Sequence, residues 1–137
     1  MSTHDEHDDQ GDIRVLLVDD HQLVRDGLRS RLGETPGITV VGEAGTGQEA
    51  LRLAAQLNPD LVLLDIGLPD ISGLEVAEQL PEAAPNARAL MLSMYDNREY
   101  VLSAIRAGAA GYVLKDASSK EIIAAIRAVA AGGSYYS

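Results

Sequence analysis

"VLLVDDH", residues Val15–His21, carries four apolar residues straight into two adjacent aspartates, Asp19 and Asp20. A strand with one wet face alternates apolar and polar residues; an uninterrupted run reads as a strand covered on both faces. The same signature returns in "LVLLD" (61–65), again ending on an aspartate. Further strand patterns lie at "TVVGEA" (39–44), "ARALMLS" (87–93) and "GYVLK" (111–115). Between them, apolar residues recur at helical spacing in 21–34, 46–57, 72–80, 97–108 and 118–133. Ser118 or Ser119 offers a cap for the last helix, and Gly108 is placed to end the fourth. Five strands alternating with five helices imply an α/β fold with helices on both faces of a parallel sheet. Right-handed crossovers reduce this to a doubly wound, five-stranded sheet of order 2-1-3-4-5.

The composition suits one such domain. The chain has 137 residues, 46% of them hydrophobic, with no Phe, Trp or Cys, so Leu, Val, Ile and Ala must build the core. The absence of cysteine excludes thiolate metal sites, thiol nucleophiles and a disulfide scaffold, and it suits a cytoplasmic protein. No apolar run is long enough to span a bilayer, so no membrane association is expected. Net charge is −10, and residues 1–12 contribute five acidic groups with no Lys or Arg. They read as an acidic disordered tail, in which His4 and His7 carry no specific metal site. The acidic remainder, with Lys115 and Lys120 as its lysines, is a poor match for nucleic acid.

Ligands of doubly wound sheets bind beyond the carboxyl ends of the strands. Strand 1 ends in Asp19-Asp20, strand 3 in Asp65, strand 4 in Ser93 and strand 5 in Lys115. Three carboxylates from neighbouring strands cannot all ionise cheaply; one takes up a proton or a cation joins them. An all-oxygen donor set suits Mg²⁺, which prefers octahedral oxygen ligands and keeps exchangeable positions. Lys115 and the Ser93 hydroxyl suit the remaining oxygens of a phosphate. The set reads as a phosphoryl-transfer site with one carboxylate available as nucleophile.

These motifs, "LLVDDH", "LVLLDIGLPDISGLEV", "MLSM" and "GAAGYVLKDAS", resemble the receiver domain of two-component response regulators over residues 13–133. "VDDHQLVRDGL", "YVLKDAS" and "AIRAVAAGGSYYS" resemble its NarL/FixJ (LuxR-type) subfamily. The resemblance implies that Asp65 accepts a phosphoryl group from a histidine kinase, as a signalling switch that modifies itself rather than a turnover enzyme. It implies that Asp20, Asp65 and the Gly67 backbone carbonyl ligate Mg²⁺, with Asp19 acting through water. Ser93 and Lys115 match the residues that engage the phosphoryl group, and Tyr112 matches an aromatic that swings between exposed and buried positions with Ser93. Gly67 and Tyr95 match positions that tune dephosphorylation, Tyr95 as a shield, and Met94 is expected to restrict access. Pro69 and Gly73 shape the loop, Asp70 is expected to be solvated, and His21 to serve the loop or helix start.

The same resemblance implies that 134–137 begin a linker to a helix-turn-helix DNA-binding output domain, giving transcription regulation, with homodimerisation on phosphorylation. A stand-alone receiver, working as a phosphorelay or protein-interaction module, is the alternative. A phosphatase of the aspartyl-phosphate type would want a second acid two residues after the nucleophile, where Gly67 stands. A flavin-binding domain is disfavoured because three carboxylates would repel the FMN phosphate.

Overall fold

The computed structural model of the chain describes residues 11–136; the expected tail, apart from its last two residues, and Ser137 lie outside the described residues. The elements run β1 (Ile13–Val18), α1 (Gln22–Gly33), β2 (Ile38–Ala44), α2 (Gly47–Leu57), β3 (Leu61–Asp65) and α3 (Gly73–Ala83). They continue with β4 (Arg88–Ser93), α4 (Arg98–Arg106), β5 (Gly111–Leu114), α5 (Ser119–Ala130) and β6 (Tyr135–Tyr136). All strand pairs are parallel, in the order β2-β1-β3-β4-β5-β6. The expected order of the first five strands is therefore present, and a sixth strand extends it. Tyr135 and Tyr136, at the expected start of a linker, pair with Gly111 and Tyr112.

The uninterrupted apolar runs follow from burial on both faces. Leu16, Val18, Val62, Leu64 and Met91 pack on one side with Ala50 and Ala54 of α2 and Val76 and Leu80 of α3. Val15, Leu17, Leu61, Leu63, Leu90 and Leu92 pack on the other side with Leu28 and Leu32 of α1 and Ile122 and Ile126 of α5. Each fully buried leucine contributes about 2 kcal/mol of transfer free energy, so the two layers hold the central strands firmly.

Among the described residues, four of the five helix starts are fixed by side-chain caps. Thr46 accepts from Glu49 N, Ser72 from Leu74 N, Asn97 from Tyr100 N and Ser118 from Glu121 N. Helix α3 runs past its expected end at Leu80, through Pro81 to Ala83, and closes with Ala84 N donating to Leu80 O at 2.7 Å.

Candidate functional site

Strand pleating decides which strand-end groups meet. Side chains alternate across a sheet, so Asp19 follows Val15 and Leu17, Asp65 follows Leu61 and Leu63, and Lys115 follows Val113. All three therefore lie toward the α1/α5 side, where those apolar residues pack. By the same parity Ser93 follows Met91 onto the opposite side, with Tyr112.

The three groups of the first set touch. Lys115 Nζ lies 2.9 Å from Asp19 Oδ2 and 3.1 Å from Asp65 Oδ2. Asp19 and Asp65 are buried, at 1% and 4% exposure, and among the described residues no other charged side chain is as deeply buried. Burial, and then repulsion from Asp19, push the Asp65 carboxyl above its ordinary value, against the opposing pull of Lys115 and the Gly67 N–H. Burial alone would lower the Lys115 ammonium, but Asp19 and Asp65 outweigh it and hold it above its ordinary value. One positive charge thus serves two buried carboxylates.

Asp19 carries a second mark of strain. Its Oδ2 is fully buried and depends on the Lys115 ammonium, 2.9 Å away, which Asp65 shares. Its Oδ1 accepts from His21 N at 2.9 Å. Asp20 is more open, with its side chain 31% exposed and its Oδ1 3.0 Å from His21 Nδ1. The donor atoms of Asp19, Asp20 and His21 all lie within 4.8 Å of one another, close enough to share an ion. An under-satisfied buried carboxylate beside a second carboxylate fits a hard divalent cation.

Of the expected ligands, Asp65 joins this group through Lys115, whose Nζ also reaches Asp19. Gly67 is exposed and gives its N–H to Asp65 Oδ1 at 3.2 Å. Gly73 is needed where it stands, since a Cβ there would fall 2.1 Å from the Asp65 carbonyl oxygen. His21 is the residue before α1, as expected, but its side chain does not cap the helix and turns to the two aspartates instead.

The other residues divide in a similar way. Ser93 is buried, and its Oγ accepts from Tyr95 N at 3.0 Å. Tyr112 is buried and its hydroxyl donates to Tyr95 O, so the structure holds the inward orientation of this ring. Tyr95, expected as a shield over the site, is half-exposed and stacks on Tyr100 of α4, with ring centroids 4.7 Å apart and planes 10° apart. Met94 is exposed and lines an open cleft of about 420 Å³ with His21, Val24, Lys115 and Asp116. Asp70, expected to be solvated, is exposed, yet its carboxylate accepts from Gly47 N at 2.7 Å and Gln48 N at 2.9 Å. It caps the start of α2 from 23 residues away, a pairing no local pattern reveals.

The sequence matches the family described as the response regulator receiver domain over residues 15–127. It is 49% identical over 125 residues to the transcriptional regulatory protein MctR of Rhizobium johnstonii, covering 91% of this chain and 58% of MctR. The chain spans 52–58% of the length of the curated relatives it matches first. Among solved structures, a LuxR-family response regulator from Aurantimonas sp. SI85-9A1 superposes with a TM-score of 0.86 at 38% identity, over 90% of this chain and 89% of that one. The receiver domain of a NarL response regulator from Mycobacterium tuberculosis superposes with a TM-score of 0.85 at 37% identity, over 88% and 98%.

Proposed function

The chain belongs to the response regulator receiver domain family, and from that premise we propose that Asp65 is the phosphoacceptor of a Mg²⁺-dependent switch. The observation that carries this reading is Lys115 bridging two buried carboxylates, Asp19 and Asp65, at the carboxyl ends of β1, β3 and β5. A sensor histidine kinase is the donor: its phosphohistidine N–P bond breaks while an O–P bond forms on the Asp65 carboxylate. Asp20, Asp65 and the Gly67 carbonyl would hold the cation, and Asp19 would support it indirectly. When bound, Mg²⁺ supplies the positive charge that keeps Asp65 ionised and neutralises the phosphoryl oxygens.

This chain's own groups do the rest. Lys115 leaves Asp19 enough to meet a phosphoryl oxygen on Asp65, and Ser93 turns its hydroxyl from Tyr95 N to another. Releasing Tyr95 N loosens a segment that Tyr112 holds from its carbonyl side, so modification of Asp65 biases the β4–α4 connection. The domain serves transcription regulation through a DNA-binding part outside these residues, and phosphorylation favours a homodimer. The name of its relative MctR, a transcriptional regulatory protein, supports the first of these. We place the protein in the cytoplasm; among the described residues no helix is long and apolar enough to cross a membrane.

Intact-mass measurement after incubation with acetyl phosphate tests the acceptor. Wild type gains one phosphoryl group with Mg²⁺, and neither Asp65→Asn nor the chelator-treated wild type does. Equal labelling of the variant, or labelling in chelator, contradicts the assignment.

A further inference from the structure

On the first turn of α1, before the core-facing Leu28, Arg25 makes contacts that the phosphoryl chemistry does not use. Its side chain is largely buried, and its Nη1 donates to the main-chain oxygen of Asp19. Its Nε donates to Glu43 Oε1 of β2 at 3.2 Å, and Glu43 Oε2 is held in turn by Arg29 Nη1 at 2.6 Å. Among the described residues no backbone N–H reaches the Asp19 oxygen, so Arg25 is its donor. The room for this is tight: a Cβ on Gly45 would sit 3.3 Å from Arg25 Nη1.

That oxygen belongs to the peptide joining Asp19 to Asp20. The peptide is planar, so anchoring its oxygen sets the plane from which the Asp20 side chain departs. The nitrogen of Asp19 is already fixed by Ala44 O at 3.1 Å, and the turn that follows by His21 N on Asp19 Oδ1. Arg25 supplies the missing restraint. Its planar fork is suited to reaching a carbonyl and a carboxylate together, which an ammonium cannot do as well.

We propose that Arg25 is a positioning residue for the metal: tied to Glu43, it holds the Asp19–Asp20 peptide in the orientation that lets Asp20 ligate a divalent cation. The inference rests on the proposed Mg²⁺ site at Asp20. Groups that orient metal ligands commonly cost about 10–100-fold in affinity when removed.

The experiment is Mg²⁺ titration by calorimetry of wild type, Asp20→Asn, Arg25→Gln, Arg25→Lys and Glu43→Gln, each far below its own Tm. The expected result is binding lost in Asp20→Asn and weakened about ten-fold in Arg25→Gln. Arg25→Lys recovers part of that loss, and Glu43→Gln, which leaves Arg25 without its charged anchor, weakens binding less than Arg25→Gln. A merely structural role would lower the Tm of Arg25→Gln and leave its Mg²⁺ affinity at the wild-type value, which overturns the inference while Asp20→Asn still fails to bind. Wild-type affinity in Asp20→Asn overturns the site itself, and this inference with it. If Arg25→Gln does not fold, Glu43→Gln carries the test, and unchanged affinity there counts against the proposal.

Discussion

The two sides of the strand-end edge are built differently. On the α1/α5 side, Asp19, Asp65 and Lys115 form a largely buried group in which one positive charge faces two carboxylates. On the other side, Ser93 and Tyr112 hold Tyr95 by its N–H and its carbonyl, with Tyr100 stacked on the ring. The first region stores electrostatic strain that a bound cation would relieve. The second is satisfied by neutral hydrogen bonds that can be exchanged at small cost. A switch needs both: a site whose charge changes sharply on modification, and a neighbouring segment held weakly enough to respond.

The sharpest way to separate the regions is Asp65→Asn. The folded-state pKa of Asp65 is raised, chiefly by burial and then by Asp19, so the folded chain holds this proton more tightly than the unfolded chain. Metal-free wild type therefore loses stability as pH rises from the ordinary carboxylate value of 3.8 through the raised one, and the deficit persists above it. Asp65→Asn lacks that decline, so thermal melts in chelator at neutral pH should give it a Tm a few degrees above wild type. Saturating Mg²⁺ should narrow the gap by stabilising wild type more. A variant less stable than wild type at neutral pH would break the strain half of the comparison.

Tyr112→Phe probes the other half. Losing the hydroxyl leaves Tyr95 O without this donor, at a cost of about 1 kcal/mol, read as a lower denaturant midpoint. Labelling of Asp65 by acetyl phosphate should proceed at the wild-type rate. A parallel fall in labelling would mean that the two regions are one unit.

Asp70→Ala should have the smallest effect. Hydrogen bonds from Gln48 and Gly47 hold the Asp70 carboxyl below its ordinary value. Its contribution is present above pH 3.8 and is lost as pH falls through the lowered value, so the variant and wild type should converge in melts at strongly acidic pH. Labelling at Asp65 should not change.

The same division explains what could be read from the sequence. Uninterrupted apolar runs ending on Asp19 and Asp65 announced buried parallel strands, and parallel strands bring their carboxyl ends together without further information. The acidic group with Lys115 was therefore legible. The Tyr95–Tyr100 stack was not, because a loop tyrosine has no periodicity and its partner is chosen by the path of β4 into α4. Asp70 and Arg25 were missed for another reason: their acceptors and donors lie on different elements, at Gly47 and at Asp19 and Glu43. Strand β6 is two residues long, too short for alternation to register, and its signal was a Tyr-Tyr pair after the helix-ending glycines.

The proposed switch turns on Asp65, and not its more exposed neighbour Asp20 or its buried partner Asp19, taking the phosphoryl group. Borohydride reduces an aspartyl phosphate to homoserine, which peptide mass spectrometry then locates. After treatment with acetyl phosphate and Mg²⁺, the account predicts homoserine at position 65 alone; homoserine at position 19 or 20, or none in a fully folded sample, would contradict it.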